Sequence, residues 1–372
     1  MAAAPDVVVV GGGAVGLGVA WRCARAGATV RVFDSSGGRG ATWAAAGLLA
    51  PVTEVHYGEE PLLALNLESS RRYPAFVAEL EEASGLDTGY RQCGTLMVAL
   101  DADESRALDE LYRFQSGLGL DVQRLNGRET RREEPALAPH VRGGILVEGD
   151  HQVDNRALLD ALTRACERAG VTISVDTVKS VEVARERVDA VTTAAEGAIA
   201  CAAVVLAAGS WSGSIEGLPP GTMPGVRPVK GQLLHLKGDV LARRNLRGVD
   251  AYLVPRADGR VVVGATVEER GWDTTVTAGA VYELLRAAYE LLPGTAELEL
   301  TEAVAGLRPG TPDNAPLIGP STVEGLLLAT GHYRNGVLLT PVTADAIAAC
   351  VADGSVPDWA APFLPTRFGN AA

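Results

Sequence analysis

Cysteine is scarce in this sequence, and the few cysteines form no motif. The chain of 372 residues has five of them, with neither a CxxC pair nor the spacing of a metal site: Cys23, Cys93, Cys166, Cys201 and Cys350. This argues against a disulfide framework and against a cysteine-ligated metal, and no metal site is predicted. Scattered free cysteines are typical of a reducing compartment, so we expect a cytoplasmic protein.

The sequence also lacks a long hydrophobic run and an excess of positive charge. Its start, MAAAPDVVVVGGG, has no basic flank, and its apolar run stops at glycine after four valines, so neither a signal peptide nor a membrane span is predicted. The net charge of −13 argues against nucleic acid or an anionic membrane as the main partner. The hydrophobic content of 47% is that of an ordinary globular protein, and the length favours one large or two interlocked domains.

Glycine, by contrast, is abundant near the start of the chain. In DVVVVGGGAVGLGVAWRCARAGATVRVFD, the run Val7–Val10 predicts a strand buried on both faces of a parallel sheet. Gly11, Gly13 and Gly16 then fit the pattern GxGxxG. The first permits a tight turn, the second lets the backbone approach a pyrophosphate, and the third lets the following helix pack against the strand. The N–H groups that begin this helix would face the phosphates.

An acidic residue follows at the distance that a dinucleotide site requires. Gly27 is placed to end the helix, Val30 and Val32 carry the next strand, and Asp34 lies 18 residues beyond Gly16. A carboxylate there accepts hydrogen bonds from an adenosine ribose and disfavours the 2′-phosphate of NADP. The pattern leaves NAD and FAD open, and the alternative is a glycine-rich turn in another α/β protein.

Three later stretches favour a flavin. Small residues at 40–51 (GATWAAAGLLAP) would let the backbone approach a flat ligand, although they also suit a tightly packed helix start. CAAVVLAAGSWSG (201–213) and GLLLATGHYRNGVLLTP (325–341) each predict an apolar strand that runs into a glycine turn. Since no second GxGxxG occurs, one bound FAD is favoured over an exchangeable nicotinamide. Thr340 as N-cap and Pro341 as the first helical residue predict a helix after the last stretch.

Six stretches carry a family resemblance: VVVVGGGAVGLGVA, TWAAAGLLAP, PVKGQLL, AYLVPRADGRVVVGAT, AVAGLRPGTPDNAPLIG and ATGHYRNGVLLTPVTA. With these, the sequence resembles the D-amino-acid-oxidase-like flavoproteins, and within them the glycine oxidases of the ThiO type of thiamine biosynthesis. The resemblance implies an α/β fold with a doubly wound, Rossmann-like FAD-binding domain and a second, antiparallel-sheet substrate domain. It assigns residues 1–88, 143–213 and 301–372 to the first domain, and residues 89–142 and 214–300 to the second. AYLVPR and RVVVGAT predict a hairpin with Asp258 and Gly259 in its turn.

The resemblance also implies the residues that contact FAD. The cofactor would be non-covalent, because the chain has no cysteine between Cys201 and Cys350, where sarcosine oxidases attach their flavin. The helix start near Thr340 would face the pyrimidine end of the flavin and stabilise negative charge there. The implied contacts are Gly11, Gly13, Ala14, Val15, Gly16, Asp34, Ser35, Ala41, Thr42, Ala46, Gly47, Leu48, Val178, Gly209, His332, Tyr333, Arg334, Asn335, Gly336, Val337 and Leu338.

For the substrate, the resemblance implies that Arg308 holds a carboxylate, assisted by the hydroxyl of Tyr252 and with Arg334 close by. A guanidinium suits this task because it grips a carboxylate with two hydrogen bonds and keeps its charge. Without the resemblance, Arg308 would be interpreted as a loop arginine bonded to carbonyl groups, and Tyr252 as an ordinary sheet residue. Arg334 has the alternative of pairing with an acidic neighbour.

The implied reaction is oxidative deamination of glycine, with sarcosine and small D-amino acids as further substrates. Hydride would pass from the α-carbon to flavin N5, and molecular oxygen would reoxidise the flavin, giving glyoxylate, ammonia and hydrogen peroxide. The glycine imine would supply thiamine thiazole synthesis, and a homo-oligomer is expected. No general base is predicted among the five histidines. His151, near Asp150 and Asp154, comes nearest to the pattern of a base or a metal ligand, but a solvated turn is favoured there.

Rival functions remain at this stage. The nearest are a D-amino acid oxidase, a sarcosine oxidase, or a dehydrogenase that passes electrons to a quinone. A flavin-binding protein without turnover and an NAD-dependent dehydrogenase are more distant. Three positions depart from the pattern of the family: Asp34 replaces a commoner glutamate, Trp43 stands where a small residue is frequent, and Val267 where related enzymes carry methionine. The last two are expected to shape the substrate pocket.

Overall fold

The structure, a computed structural model, describes residues 4–369. Its helices are α1 (Ala14–Arg25), α2 (Glu60–Ser84), α3 (Ala102–Gly117), α4 (Gly127–Glu133), α5 (Asn155–Arg168), α6 (Ala278–Leu291) and α7 (Thr340–Asp353). Its strands are β1 (Val7–Val10), β2 (Val30–Phe33), β3 (Leu48–Leu49), β4 (Thr95–Ala99), β5 (Gln123–Asn126), β6 (Gly143–Val147), β7 (His151–Gln152), β8 (Thr172–Ser174), β9 (Val178–Ala184), β10 (Arg187–Thr193), β11 (Gly197–Ala200), β12 (Ala203–Leu206), β13 (Arg227–Lys237), β14 (Asn245–Arg247), β15 (Tyr252–Pro255), β16 (Arg260–Gly264), β17 (Glu299–Gly310), β18 (Leu317–Pro320) and β19 (Leu326–Thr330). None of these helices is long and apolar enough to cross a membrane.

The first large sheet has the order β18-β19-β12-β1-β2-β8, and all its pairs are parallel except β18 with β19. The four valines of β1 are all buried, as expected for a central strand covered on both faces. Helix α1 packs closely against α7 where it carries glycine. A side chain at Gly18 would stand 2.9 Å from Thr340 Cγ2 in α7. The Rossmann-like architecture predicted from the sequence is confirmed.

The second large sheet has eight strands in the order β17-β13-β16-β15-β14-β4-β6-β5. Its pairs are antiparallel apart from β14 with β4, which are parallel. The predicted hairpin is formed by β15 and β16, and Gly259 in its turn has a φ of +83°. The remaining strands form two smaller sheets, β11-β10-β9 and β3-β7.

Two strands of the eight-stranded sheet come from segments that the sequence assigned to the FAD-binding domain. Strand β6 pairs with β4 and β5, and β17 pairs with β13 from Arg227↔Gly310 to Lys237↔Glu299. Both strands carry apolar residues that would suit either sheet, so the sequence pattern could not tell which sheet they join. The division of the chain into two domains, with residues 143–213 and 301–372 in the FAD-binding one, stays a prediction.

The predicted cap of α7 is wrong. The helix begins at Thr340, one residue earlier than expected, and its N-cap is Leu339. The backbone already turns before that point, since the Leu339 N–H donates to the Asn335 carbonyl at 2.8 Å. The Thr340 hydroxyl therefore donates to the Gly336 carbonyl, at 2.9 Å, and does not accept from the helix.

Candidate active site

A cavity of about 740 Å³ lies between the two large sheets. On one side it is lined by residues that follow the carboxyl ends of four parallel strands: Gly11, Asp34, Ala208 and His332. On the other side it is lined by one face of the eight-stranded sheet. Open α/β sheets bind ligands at the carboxyl ends of their strands, so this cavity is the candidate ligand site.

The glycines after β1 are required by close backbone approaches. Gly11 has a φ of +113°, and a side chain there would collide with the carbonyl of Ala207 at the end of β12. A side chain at Gly16 would collide with the carbonyl of Gly11, which explains why the first turn of α1 can pack against β1. The steric roles predicted for the first and third glycine of the pattern follow directly from these contacts.

The first turn of α1 points unbonded N–H groups at the cavity. The Ala14 N–H donates to the Thr42 hydroxyl at 3.2 Å, and the Gly12 N–H donates to the Asp34 carboxylate at 2.6 Å. Within residues 4–369, the N–H groups of Gly13, Val15 and Gly16 have no acceptor. Free amides at a helix N-terminus form an anion site, which suits a pyrophosphate.

Asp34 is a charged acceptor at the end of β2. Its Oδ1 accepts from the Ser36 N–H at 2.8 Å and from the Gly38 N–H at 2.9 Å. Burial alone would raise the pKa of Asp34, but the hydrogen bonds from Gly38, Gly12 and Ser36 outweigh it, and the pKa lies below its usual value. The carboxylate is thus ionised at neutral pH, as the predicted ribose contact requires.

Most of the predicted FAD contacts line this one cavity. Those that do are Gly11, Gly13, Ala14, Val15, Asp34, Ser35, Ala41, Thr42, Ala46, Gly47, Leu48, Val178, Gly209, His332, Tyr333, Arg334, Gly336 and Val337. Gly16, Asn335 and Leu338 lie outside its lining. Gly16 faces the Gly11 backbone, Leu338 packs in the core, and the Asn335 carbonyl accepts from Leu339. Free amides, an ionised acid and a long cavity walled by small residues together fit FAD.

The substrate end of the cavity is built by the register of the eight-stranded sheet. Arg247 on β14 lies opposite Tyr252 on β15, and Tyr252 lies opposite Gly264 on β16. Side chains directly opposite one another share a face of the sheet, so Arg247 and Tyr252 are neighbours. A side chain at Gly264 would stand 2.5 Å from the Tyr252 hydroxyl oxygen, so this glycine makes room for the tyrosine.

Arg308 lies on the same face, at the end of β17. It is a strand residue and not a loop residue, but it bonds carbonyl groups as the alternative interpretation expected. Its Nη1 donates to the carbonyls of Thr266 at 3.1 Å and Lys230 at 3.3 Å, and its guanidinium covers Gly231. Among residues 4–369 no carboxylate lies within ion-pair distance of it. Two carbonyls thus orient a cation whose charge is uncompensated at the cavity wall.

The other two arginines at this end are paired. Arg247 Nη1 lies 2.8 Å from Glu54 Oε1, and Arg334 Nη2 lies 3.2 Å from Glu59 Oε2. The acidic partner considered for Arg334 is therefore present. The Nε of Arg334 is nevertheless buried and has no hydrogen-bond partner within the described residues. Arg334 lines the cavity with other atoms, because its Nε has no exposed surface that could contact a ligand.

Three titratable groups that line the cavity near Arg308 each keep one protonation state around neutral pH. Burial raises the pKa of Tyr252 above its usual 10 despite the opposing charge of Arg308, so the phenol stays protonated. Burial lowers the pKa of His56 below its usual 6.5, helped by the charge of Arg334. Burial alone would raise the pKa of Glu54, but Arg247 outweighs it and the pKa falls below 4.5. The wall thus offers a phenol donor and an ionised carboxylate.

The loop that follows β19 passes the cavity and starts α7. Gly331 and Tyr333 both have a positive φ, of +75° and +47°, and the Tyr333 N–H donates to the Pro309 carbonyl at 3.0 Å. His332 is buried, its Nε2 lies 2.9 Å from the Thr343 hydroxyl, and burial lowers its pKa to about 3. A neutral histidine that is bonded to the start of α7 fixes the loop and carries no charge to the site.

Of the two residues expected to shape the substrate pocket, Val267 lines the cavity and Trp43 does not. Val267 lines the cavity and is 65% exposed, so it does shape the wall. Trp43 does not line the cavity, and its ring stacks under Arg156 at 4.1 Å from the guanidinium carbon. His151 also lies outside the cavity, against the ring of Tyr90. No group of three or more His, Cys, Asp or Glu that could hold a metal was found among residues 4–369.

Sequence reasoning missed Glu54, His56 and Arg247. Glu54 and His56 follow the small-residue stretch by only a few positions, and that proximity was the available signal. Arg247 gave no signal, because only the pairing of β14 with β15 brings it beside Tyr252.

Comparison with known proteins identifies relatives of the whole chain. A family model described as FAD dependent oxidoreductase (DAO) matches residues 6–350. The bifunctional protein ThiO/ThiG of Synechocystis sp. is 36% identical over 98% of this chain, which spans only 54% of that relative's length. Glycine oxidase of Geobacillus kaustophilus is 33% identical, and its crystal structure matches with a TM-score of 0.90 over 98% of both chains. Iminodiacetate oxidase from Chelativorans sp. BNC1 matches with a TM-score of 0.86 and 27% identity, over 96% of this chain and 98% of that one.

Proposed function

The chain belongs to the DAO family of FAD-dependent oxidoreductases, and from this premise we propose that it oxidises glycine. Glycine, oxygen and water would give glyoxylate, ammonia and hydrogen peroxide. The observation that carries the proposal is the uncompensated guanidinium of Arg308 beside the phenol of Tyr252. This pair matches a small amino acid that presents one carboxylate.

Arg308 would hold that carboxylate through the guanidinium atoms that Thr266 and Lys230 leave unbonded. The Tyr252 hydroxyl, protonated at neutral pH, would donate a second hydrogen bond to it. Arg334, in the loop after β19, also lines the cavity and is paired with Glu59. Two donors from different strands of the sheet would fix the orientation of the α-carbon, which is the main contribution that a protein makes to this chemistry.

The residues near Gly11 and along 40–48 would hold FAD, which supplies the two-electron acceptor and reacts with oxygen. The chain needs to supply little acid–base chemistry. His332 is neutral and bonded to Thr343, and Glu54 is ionised and paired with Arg247. The substrate amine is thus expected to lose its proton to solvent before oxidation, without a dedicated base.

The alternative function is a D-amino acid oxidase, or a sarcosine or D-amino acid dehydrogenase. Val267 favours it, because this cavity-lining residue is shorter than the methionine that related enzymes carry.

A place in thiamine biosynthesis is supported by the similarity to the ThiO/ThiG protein, whose name links two activities in one chain. The oxidation product, glycine imine or glyoxylate, would then be passed to a thiazole-forming step.

The test is a peroxide assay of the FAD-loaded protein with glycine, sarcosine, D-alanine and D-proline, with L-alanine as the control. We expect peroxide with glycine, comparable or weaker signals with sarcosine and small D-amino acids, and none with L-alanine. Flavin reduction without peroxide would instead identify a dehydrogenase.

A further inference from the structure

The three arginines at the substrate end differ in their charge balance. Among residues 4–369, Arg308 donates to two carbonyls and has no carboxylate within ion-pair distance, whereas Arg247 is paired with Glu54 and Arg334 with Glu59. Asp250, which also lines this end, is paired with Arg286 at 3.1 Å. Arg286 is shared with Glu283 and Glu290, so these pairs do not cancel every charge, and Arg308 is the one of the three arginines without a carboxylate of its own among the described residues.

The backbone segment that carries Glu54 is held in place by hydrogen bonds to Asp150. It ends a turn formed by residues 51–54, whose N–H groups at Val52 and Thr53 donate to the buried carboxyl of Asp150, at 3.1 and 2.7 Å. The Thr53 hydroxyl donates to the same carboxyl at 2.7 Å. Only 12% of the Glu54 side chain is exposed. The turn places Glu54 beside Arg247, and moving its carboxylate into solvent would break the ion pair.

We propose that Glu54 is a specificity-determining residue. By cancelling the charge of Arg247, it restricts the cavity to amines that carry a single carboxylate and excludes those with a second acidic group. This inference rests on the proposed function and narrows its substrate class. A second carboxylate near Arg247 would meet the like charge of Glu54 in a largely desolvated wall, where such repulsion is poorly screened.

Because Arg247 lies beside Tyr252, a substitution at Glu54 should reverse this selectivity against a second acidic group. Removing the charge of Glu54 would expose a second cation next to the carboxylate-binding group, at the distance of cross-strand neighbours. The cavity would then suit a dicarboxylate, with one acid on Arg308 and the other on Arg247.

The experiment compares Glu54→Gln with the wild type on D-aspartate and D-asparagine, which have nearly the same shape and differ in charge. We expect the wild type to prefer D-asparagine, and the ratio of kcat/KM for D-aspartate to that for D-asparagine to rise at least tenfold in Glu54→Gln. The control is Glu79→Gln, which removes a carboxylate paired with Arg22 and Arg25 far from the cavity, and should leave the ratio unchanged. Equal use of both substrates by the wild type, or an unchanged ratio in an FAD-loaded Glu54→Gln, would overturn the inference.

A second measurement needs neither a variant nor turnover. Acetate and malonate are titrated into the wild-type holoenzyme, and their binding is followed by the perturbation of the flavin absorbance. Acetate should bind at least tenfold more tightly than malonate. Equal or tighter binding of malonate would contradict the proposal. The glycine assay separately decides the proposed function, because loss of glycine oxidation would not alter the acetate to malonate comparison.

Discussion

The guanidinium of Arg308 lies directly over Gly231, close enough that a side chain at the glycine would stand 2.5 Å from the Arg308 Cζ. Glycine at this position of β13 is what lets the arginine lie flat on the sheet. The atoms that would be displaced are the far end of a flexible side chain, so the fold can adapt while the guanidinium moves.

Gly231→Ala should therefore impair substrate binding without loss of FAD. Displacing a binding group by about 1 Å costs roughly 10- to 100-fold in kcat/KM, and we expect most of that in KM for glycine. The matched control is Gly279→Ala on the surface of α6, where a side chain meets nothing within 4 Å. It should keep wild-type kinetics. Wild-type KM in Gly231→Ala would show that Arg308 is not poised as described.

Arg308→Ala should abolish efficient turnover while the protein stays folded and yellow. Removing one partner of a desolvated ion pair costs about 3–5 kcal/mol, which is on the order of 10²-fold or more in kcat/KM. Arg308→Lys should recover only part of this loss, because an ammonium cannot donate two parallel hydrogen bonds to a carboxylate. Steady-state kinetics with glycine measure both variants.

Arg164→Ala is the control for these substitutions, since Arg164 is half exposed on α5 and pairs with Glu167. Near-normal kinetics in Arg308→Ala would remove Arg308 from the site.

The flavin should be released by acid precipitation. Cys23, Cys166 and Cys201 are buried, and none of the five cysteines lines the cavity. No thiol is thus in position to form a covalent link. Yellow colour should appear in the supernatant after precipitation, and colour that stays with the pellet would disprove non-covalent binding.

The pH dependence of glycine oxidation should reflect ionisation of the substrate amine and not of the residues that line the cavity. Burial holds the pKa of Tyr252 above 10 and that of His56 below 6.5, and Arg247 holds that of Glu54 below 4.5. Between about pH 7 and pH 9, Tyr252 and His56 stay neutral and Glu54 stays ionised. The value of kcat/KM should rise with pH through this range as the glycine amine loses its proton.

Comparison of wild type with Tyr252→Phe tests this directly. The variant should be slower, with the rising limb of the profile in the same place. A limb that shifts or vanishes in Tyr252→Phe would mean that the phenol titrates in this range.

Local sequence patterns predicted the parts of the fold that local interactions determine. The Val7–Val10 strand, the glycine turn and the β15–β16 hairpin all follow from nearest-neighbour chemistry, and the structure has them as expected. The predicted cap of α7 failed because the Thr340 hydroxyl has a competing acceptor, the Gly336 carbonyl in the preceding turn, that no pattern reveals.

What depends on strand register could not be predicted. Arg247 lies in a strand of only three residues, and nothing in that stretch indicates that it will face Tyr252. The role of Gly231 was equally hidden, since it depends on the pairing of β13 with β17 over many residues. The ion pair of Glu54 with Arg247 joins a turn to a strand 193 positions away, which is beyond any local signal.

The most direct test of the account is reduction of the bound flavin by glycine without oxygen. Glycine should bleach the visible absorbance of the holoenzyme, and readmission of air should restore it with one hydrogen peroxide per glycine consumed. Bleaching by D-alanine or D-proline but not by glycine would contradict the account and identify a D-amino acid oxidase instead.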